Sequence, residues 1–355
     1  MNSSLLSSDF IPPGCEIYAV VGGRLHQPSI LTQAFLIIII VVNTLTFPVT
    51  AALNALVMIA VKTKPRLREH KSNIVLALLA STDFVVGVIV QPVNVAMMIT
   101  VLTDDISGET CALQVFTRAL SRVVISASLI HMALISGERY LAMRHSFAHF
   151  TLVTEARLLG ASVLAWLLSI ILYINLAVND RESVFSYINN VFYGLCLAVI
   201  IFCHVTVYRE IRRHEKQIAA QQVSVEAREQ FEKDKKAFKV TFIIIIVLML
   251  CYVPLIIFSA VLERLGSKIS LEMLYIYLFT ATLMVLLNSF FNPIIYSFRL
   301  RGFRVAFIEL ICKTANIAEA EQREMKIFGT PNAVVRIEAG QENEGQARQN
   351  VNNEI

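Results

Sequence analysis

The chain has 355 residues, of which 56% are hydrophobic and only 16% charged, against about 25% charged in ordinary soluble domains. Mean hydropathy is +0.63, and a soluble domain of this length does not bury so much apolar surface, so the composition points to a multi-span membrane protein. The net charge of +4 conceals a strong asymmetry among the segments that join the apolar stretches.

The first 31 residues have no basic segment followed by an apolar core. No cleavable signal peptide is therefore expected, and the first span serves as the targeting signal. Asn2-Ser3-Ser4 is a glycosylation sequon, usable if the N-terminus faces outward. Seven stretches long enough to cross a bilayer follow, at 31–61, 73–102, 110–143, 157–178, 184–211, 237–262 and 271–298. The expected fold is all-α, a seven-transmembrane helix bundle. Pro48, Pro92, Pro254 and Pro293 lie inside spans. Each removes a backbone donor and bends its helix, and buried neighbours must take up the freed carbonyls, which requires a packed bundle.

The joining segments set the expected orientation. Lys62, Lys64, Arg66, Arg68 and Lys71 follow the first span, Arg144 and Arg157 the third. The link between the fifth and sixth carries nine basic residues from Arg209 to Lys239, and Arg299, Arg301 and Arg304 follow the seventh. The opposite side has only Arg24, Arg181, Arg264 and Lys268. The positive-inside rule then predicts a plasma-membrane protein with its N-terminus extracellular and its C-terminus cytoplasmic. Glu229 precedes Lys233 and Glu232 precedes Lys236 by four residues, which supports a solvated helix running into span six. Residues 299–312 read as a short amphipathic helix on the membrane lipid surface, with Phe303, Phe307 and Leu310 as its apolar face. Cys312 at its end is a candidate for lipidation, with an inert thiol the alternative. Residues 1–31 are thus expected as an extracellular N-terminus, 32–298 as the transmembrane domain, and 313–355 as a disordered cytoplasmic tail rich in Gln, Asn, Glu and Ala.

Two clusters carry the most information. Glu138-Arg139-Tyr140 ends the third stretch, and Asn292-Pro293-Ile294-Ile295-Tyr296 lies late in the seventh. Ionisable groups within a span are rare and functional by default; together these clusters point to a receptor that changes shape rather than an enzyme or a passive anchor. Further residues fall at matching places: Asn54 in span one, Leu76 to Asp83 in span two, Trp166 in span four, and Cys251-Tyr252-Val253-Pro254 in span six. In order, spacing and setting, residues 32–312 resemble the rhodopsin-like (class A) G-protein-coupled receptor family.

The resemblance implies an activation switch built from Glu138, Arg139, Tyr140, Asp234, Tyr208, Tyr252, Pro254, Asn292, Pro293 and Tyr296. In the family's resting state an acid at the spacing of Asp234 holds the arginine and ties span three to span six, while tyrosines at the places of Tyr208 and Tyr296 swing inward on activation. Tyr252 stands where the family has tryptophan. Asp83 lies about 10 residues into its span, roughly 15 Å deep, where a carboxylate needs partners. No cofactor is expected, but the resemblance implies a sodium ion as allosteric modulator, held by Asp83, Ser128, Asn288, Ser289 and Asn292; a polar network without an ion is the alternative. His131 reads as a packed core histidine.

The family's amine receptors have an aspartate where this chain has Ser121, and its light-sensing members a lysine where it has Leu286. Neither an aminergic ligand nor retinal is expected. The resemblance puts the ligand site at Arg118, Ser121, Arg122, Ile125, Leu255, Ser259 and Thr282. Arg118 and Arg122 share a face one turn apart and suit a carboxylate or phosphate, although pairing with Asp104, Asp105 or Glu109, or snorkelling, explains them equally. The second outer loop, around residues 179–186, is short and has no cysteine, and span five lacks the family's proline. These departures resemble the branch containing melanocortin, lysophospholipid and cannabinoid receptors, so an acidic lipid, small molecule or short peptide is the expected ligand. Cys15 and Cys111 are the two cysteines expected on the oxidising side and are predicted to pair, two free thiols being the alternative. After Cys312 only Thr314 and Thr330 carry hydroxyls, so arrestin recruitment through the tail is expected to be weak. The expected partners are an extracellular ligand and a heterotrimeric G protein, with no nucleic acid. An ion-coupled transporter or channel using the Asp83 cluster is the competing class, but no internal repeat of paired broken helices is visible.

Overall fold

The computed structural model describes residues 29–103, 108–178, 182–220, 224–265, 271–312 and 317–328. Seven long helical spans follow one another: Ile30–Thr63, Lys71–Thr103, Gly108–Arg144, Glu155–Val178, Glu182–Ala220, Val225–Leu265 and Leu271–Arg299. Six contain windows long and apolar enough to cross a membrane; the sixth span holds the shorter apolar stretch Phe238–Pro254. Short helices Pro65–Arg68 and Ser146–Leu152 lie in the first and second links at the basic end.

Polarity in this bundle is turned inside out. In the first span Leu36, Ile39, Asn43, Thr50, Asn54 and Val57 are buried at spacings of three, four and seven, while Ile38 and Leu45 are exposed. The buried face thus mixes polar and apolar side chains, whereas the exposed apolar face meets hydrocarbon. The third span is central, packing on the second, fourth, fifth and sixth, while the first and sixth both lie against the seventh. Three apolar clusters mark its levels. Leu36, Ile39, Met98, Val101 and Phe279 join spans one, two and seven. Val86, Val90, Val124 and Leu286, with Trp166 against them, join two, three, four and seven. Val207, Ile211 and Phe238, with Tyr140 and Met143, join three, five and six near the basic end.

The second span is α-helical over Lys71–Val85, π-helical over Val86–Val90 and α-helical again over Gln91–Thr103. Pro92 supplies the cause. Its ring crowds the carbonyl one turn back and it donates no hydrogen bond, so the turn before it widens. Gly87 sits in that widened turn against the first span. A Cβ there would stand 2.6 Å from Ala51 N, 3.0 Å from Ala51 Cα and 3.1 Å from Phe47 O, so the two backbones touch where only glycine fits. His131 is fully buried, as expected of a core histidine. Its Nδ1 donates to the Ala127 carbonyl at 2.7 Å, leaving Nε2 to accept from Ser162 Oγ at 2.7 Å and bind span three to span four.

Residues from Leu300 onward form a second compact unit. Its first helix, Arg301–Ile311, matches the expected amphipathic segment, with Phe303 and Phe307 buried and in edge-to-face contact. The stretch beyond Cys312, expected without order, contains the helix Ile317–Phe328. It forms because Ala320 and Glu324 share one face and Glu324 finds two arginines on the preceding helix. The expectations for Asn2 and Cys15, and for the side chains of Cys111, Arg118, Asp234, Leu255 and Ser259, lie outside the described residues.

Replacing Gly87 by valine puts a branched side chain into backbone and costs about 1–3 kcal/mol or more by overpacking. The expected outcome is a clear drop in the thermal midpoint of the detergent-purified protein. An unchanged midpoint would mean that spans one and two are not in contact there.

Candidate functional site

The basic end is organised around Glu138, 4% exposed, and Arg139, 7% exposed. Adjacent side chains on a helix diverge by about 100°, yet Arg139 folds back as a fork. Its Nε donates to Glu138 Oε2 at 2.6 Å and its Nη2 to Oε1 at 2.7 Å. The same Oε1 accepts from His149 Nε2 at 2.9 Å, on the short helix Ser146–Leu152. The carboxylate is thus almost dry but carries three charge-assisted or polar donors. Around it run more exposed pairs: Arg144 with Glu210 from span three to span five, Arg68 with Glu155 from the first link to span four, and Lys235 with Glu215 at 2.6 Å across the link between spans five and six. Lys235 also lies 3.8 Å from Glu232. The Glu215 carboxylate bonded to it holds the Lys235 ammonium above its ordinary range. Glu210 is itself buried; the more solvated Arg68 and Lys235 pairs contribute about 0–1 kcal/mol each.

Phe147 and Phe150, on the helix that carries His149, are each 85% exposed. Tyr140 stacks edge-on against His145 at 5.7 Å. Tyr208 is 52% exposed with Arg212 over its ring at 5.9 Å, so it points out of the bundle. Tyr296 is completely buried. Pro254 sits within the sixth helix on an exposed face, one turn from buried Cys251 and close to buried Tyr252.

A second polar site lies between spans one, two and seven. Asp83 has no solvent exposure. Its Oδ1 accepts from Ser289 Oγ at 2.6 Å and its Oδ2 from Asn292 Nδ2 at 2.8 Å. Pro293 cannot donate to the Ser289 carbonyl, and Asn54 Nδ2 takes up that freed oxygen at 3.1 Å while also donating to Thr50 O at 2.9 Å. Of the five residues expected around an ion, Ser289 and Asn292 bond Asp83 directly. Ser128 lines the adjoining cavity, and Asn288 is buried. The side-chain oxygens of Asn54, Asn288 and Asn292 are buried without a partner. One carboxylate beside unpartnered amide oxygens is an all-oxygen donor set, which suits a hard cation or water.

The cavity beside this network is lined by Ser121, Ile125, Ser128, Tyr252, Leu286 and Ser289 among others. It thereby brings Ser121 and Ile125, expected at the ligand, next to Ser128 and Ser289, expected at the ion. The space open to a water's centre is about 10 Å³, the size of a single-water site. Arg122 and Thr282 are half-buried and lie outside that lining. Sequence reasoning missed His149 and the exposed phenylalanine pair, because a residue on a short link helix opposite Glu138 has no spacing signal. The Asn54 bond could have been found: Pro293 announces a free carbonyl four residues earlier.

Residues 53–187 and 174–296 match the family model described as the 7 transmembrane receptor (rhodopsin family). The chain is 27% identical over 320 residues to the histamine H2 receptor of Rattus norvegicus, covering 83% of this chain and 85% of that one. It is 25% identical over 269 residues to the probable G-protein coupled receptor 21 of Mus musculus, covering 69% and 74%. It is 24% identical over 293 residues to the adenosine receptor A3 of Canis lupus familiaris, covering 75% and 88%. With a matched family spanning most of its length and a bundle of apolar helices to carry it, the chain belongs to the rhodopsin family of seven-transmembrane receptors, the class A G-protein-coupled receptors.

Proposed function

We propose that this receptor sits in the plasma membrane with its basic end in the cytosol, takes an extracellular ligand into the helix bundle, and activates a heterotrimeric G protein by opening that basic end. The observation that carries this reading is the Glu138 cluster. Arg139 is held by the carboxylate of its own neighbour, Glu138, which His149 of a short link helix also engages. A buried pair at a partly dry rim can bias a two-state equilibrium by a few kcal/mol at most, within the differential binding energy of a ligand. Release frees a guanidinium at the same end of the bundle as the exposed Phe147 and Phe150, and arginine and aromatics are residue types that anchor protein interfaces. The positive-inside excess supports the orientation, and Cys312, exposed with a free thiol, supports lipid attachment at the end of the membrane-surface helix. Tail-dependent arrestin recruitment remains proposed as weak, for want of hydroxyls.

Two finer readings belong to the same proposal. The Asp83 network holds a sodium ion that favours the resting form. The donor set fits: Asp83 supplies the charge, and Ser128, Asn288, Ser289 and Asn292 supply neutral oxygens. The ligand is acidic or lipid-like, neither aminergic nor retinal. Ser121 offers no counter-ion to an ammonium, and Leu286 is 2% exposed within an apolar cluster; Arg122 supplies the only positive charge among the expected ligand residues whose side chains are described.

Nucleotide exchange in membranes tests the switch. Glu138→Gln is expected to raise ligand-independent exchange about fivefold, as removing about 1 kcal/mol of restraint does, and Arg139→Ala to abolish stimulated exchange. Unaltered basal exchange in Glu138→Gln at equal surface expression would overturn it. For the ion, basal exchange should fall as sodium chloride replaces choline chloride, and Asp83→Asn should remove that dependence; a sodium-indifferent wild type would dismiss the ion. For an acidic agonist found by screening, Arg122→Ala is expected to lower potency about tenfold, the loss of one charge-assisted hydrogen bond. Equal potency would sink the acidic-ligand reading.

A further inference from the structure

Between spans one and two, on the side of Gly87 away from Asp83, lies a polar cluster that the receptor mechanism does not use. Asn43 of span one and Gln91 of span two are both 0% exposed. Gln91 Nε2 donates to Thr46 Oγ1 at 3.2 Å. The Thr46 hydroxyl directs its one hydrogen to its own helix, with the Val42 carbonyl at 2.9 Å and that of Asn43 at 3.2 Å. Asn43 Nδ2 donates to the Ile39 carbonyl at 3.3 Å. The other atom of each amide, Asn43 Oδ1 and Gln91 Oε1, is buried without a partner.

Neither amide can be turned over to remove its orphan. A rotated Gln91 would set Oε1 against the Thr46 oxygen, whose hydrogen is already engaged, and a rotated Asn43 would set Oδ1 against the Ile39 carbonyl. Both open positions are therefore acceptors. Gln91 is tied to Thr46, whose hydroxyl also reaches the Asn43 carbonyl, and this keeps the two amides in one cluster. An oxygen left so inside a bundle is unfavourable until a donor reaches it. The chemistry of that donor follows. An anion is repelled by two carbonyl oxygens. A cation finds no counter-charge in Asn43, Thr46 and Gln91, unlike at Asp83. A neutral molecule with two hydrogens to give suits both oxygens, and two acceptors meet the minimum for an internal water, which makes about 2–4 hydrogen bonds. Gln91 lies eight residues past Asp83, roughly 12 Å along the helix. The close backbone contact at Gly87 stands between the two levels, so the cluster is separate from the Asp83 network.

We propose that Asn43 Oδ1 and Gln91 Oε1 form a binding site for one internal water, which donates a hydrogen to each and joins span one to span two. A bridging water is nearly as good as a direct hydrogen bond, and it ties two oxygens that cannot bond one another. The joint between these spans is thus wet at Gln91 and dry at Gly87, one turn away. The site stands whatever ligand, ion or transducer the receptor takes.

The test uses the full-length receptor. A high-resolution crystallographic map of the wild type is expected to show one solvent peak about 2.8 Å from both oxygens. A peak at only one of them, or none beside two ordered amides, would overturn the bridge. Thermal midpoints are the second measurement. Asn43→Leu and Gln91→Met nearly keep the size of each side chain and remove one oxygen each. Each is expected to lower the midpoint by about 2–4 °C. The double variant is expected to lose clearly less than the sum, because the second substitution no longer takes a partner from a bound water. Strictly additive losses would mean that no shared molecule couples the two residues. A rise in either single variant would mean that its oxygen goes unanswered in the wild type; both results count against the site. The wild-type map decides alone should a variant fail to fold. Neither measurement reads nucleotide exchange, so the receptor mechanism is judged separately by Glu138→Gln.

Discussion

A polar group inside a lipid-facing bundle cannot turn to bulk water, so it must find its partner in the chain or in a bound ion or water. Asp83 shows what this constraint builds. It is wholly buried, and the groups that answer it, Ser289 and Asn292, lie on the last span. Pro293 frees the Ser289 carbonyl, and Asn54 from the first span closes that gap. One carboxylate and one proline thereby fix the level at which spans one, two and seven meet. The close backbone contact of Gly87 with Ala51 holds the first two spans together nearby.

Glu138 obeys the same constraint with different partners. Its donors are the next residue in the chain and a histidine on a short link helix. Those bonds lie within one span and its link helix, whereas the Asp83 bonds join two spans. A rigid polar centre and a labile polar rim on one bundle is the arrangement a two-state receptor needs. The cavity lined by Ser121, Ser128, Tyr252 and Ser289 lies against the rigid centre, so whatever enters beside Ser121 acts close to the Asp83 network.

Three of the buried carboxylates among the described residues have different kinds of partner. Asp83 has neutral hydroxyl and amide donors, which leave its charge uncompensated and open to a cation. Glu138 has one arginine and a histidine, close to balance. Glu324 has two arginines, Arg301 and Arg304.

The sequence by itself determined the class and the apolar spans. Hydropathy is set by side-chain type alone, and the Glu138-Arg139-Tyr140 and Asn292-to-Tyr296 clusters keep their local spacing in any helix. It placed Asp83 deep in a span and so required partners for it. Tertiary structure alone decided who those partners are. That His149 meets Glu138, that Tyr208 faces outward while Tyr296 faces in, and that a tail expected to be without order folds Glu324 onto Arg301 and Arg304 all depend on contacts between residues far apart in the chain. Such contacts leave no periodic trace, because they are fixed by where a whole helix is rotated and how deep it sits, and that is settled only when every span has found its neighbours.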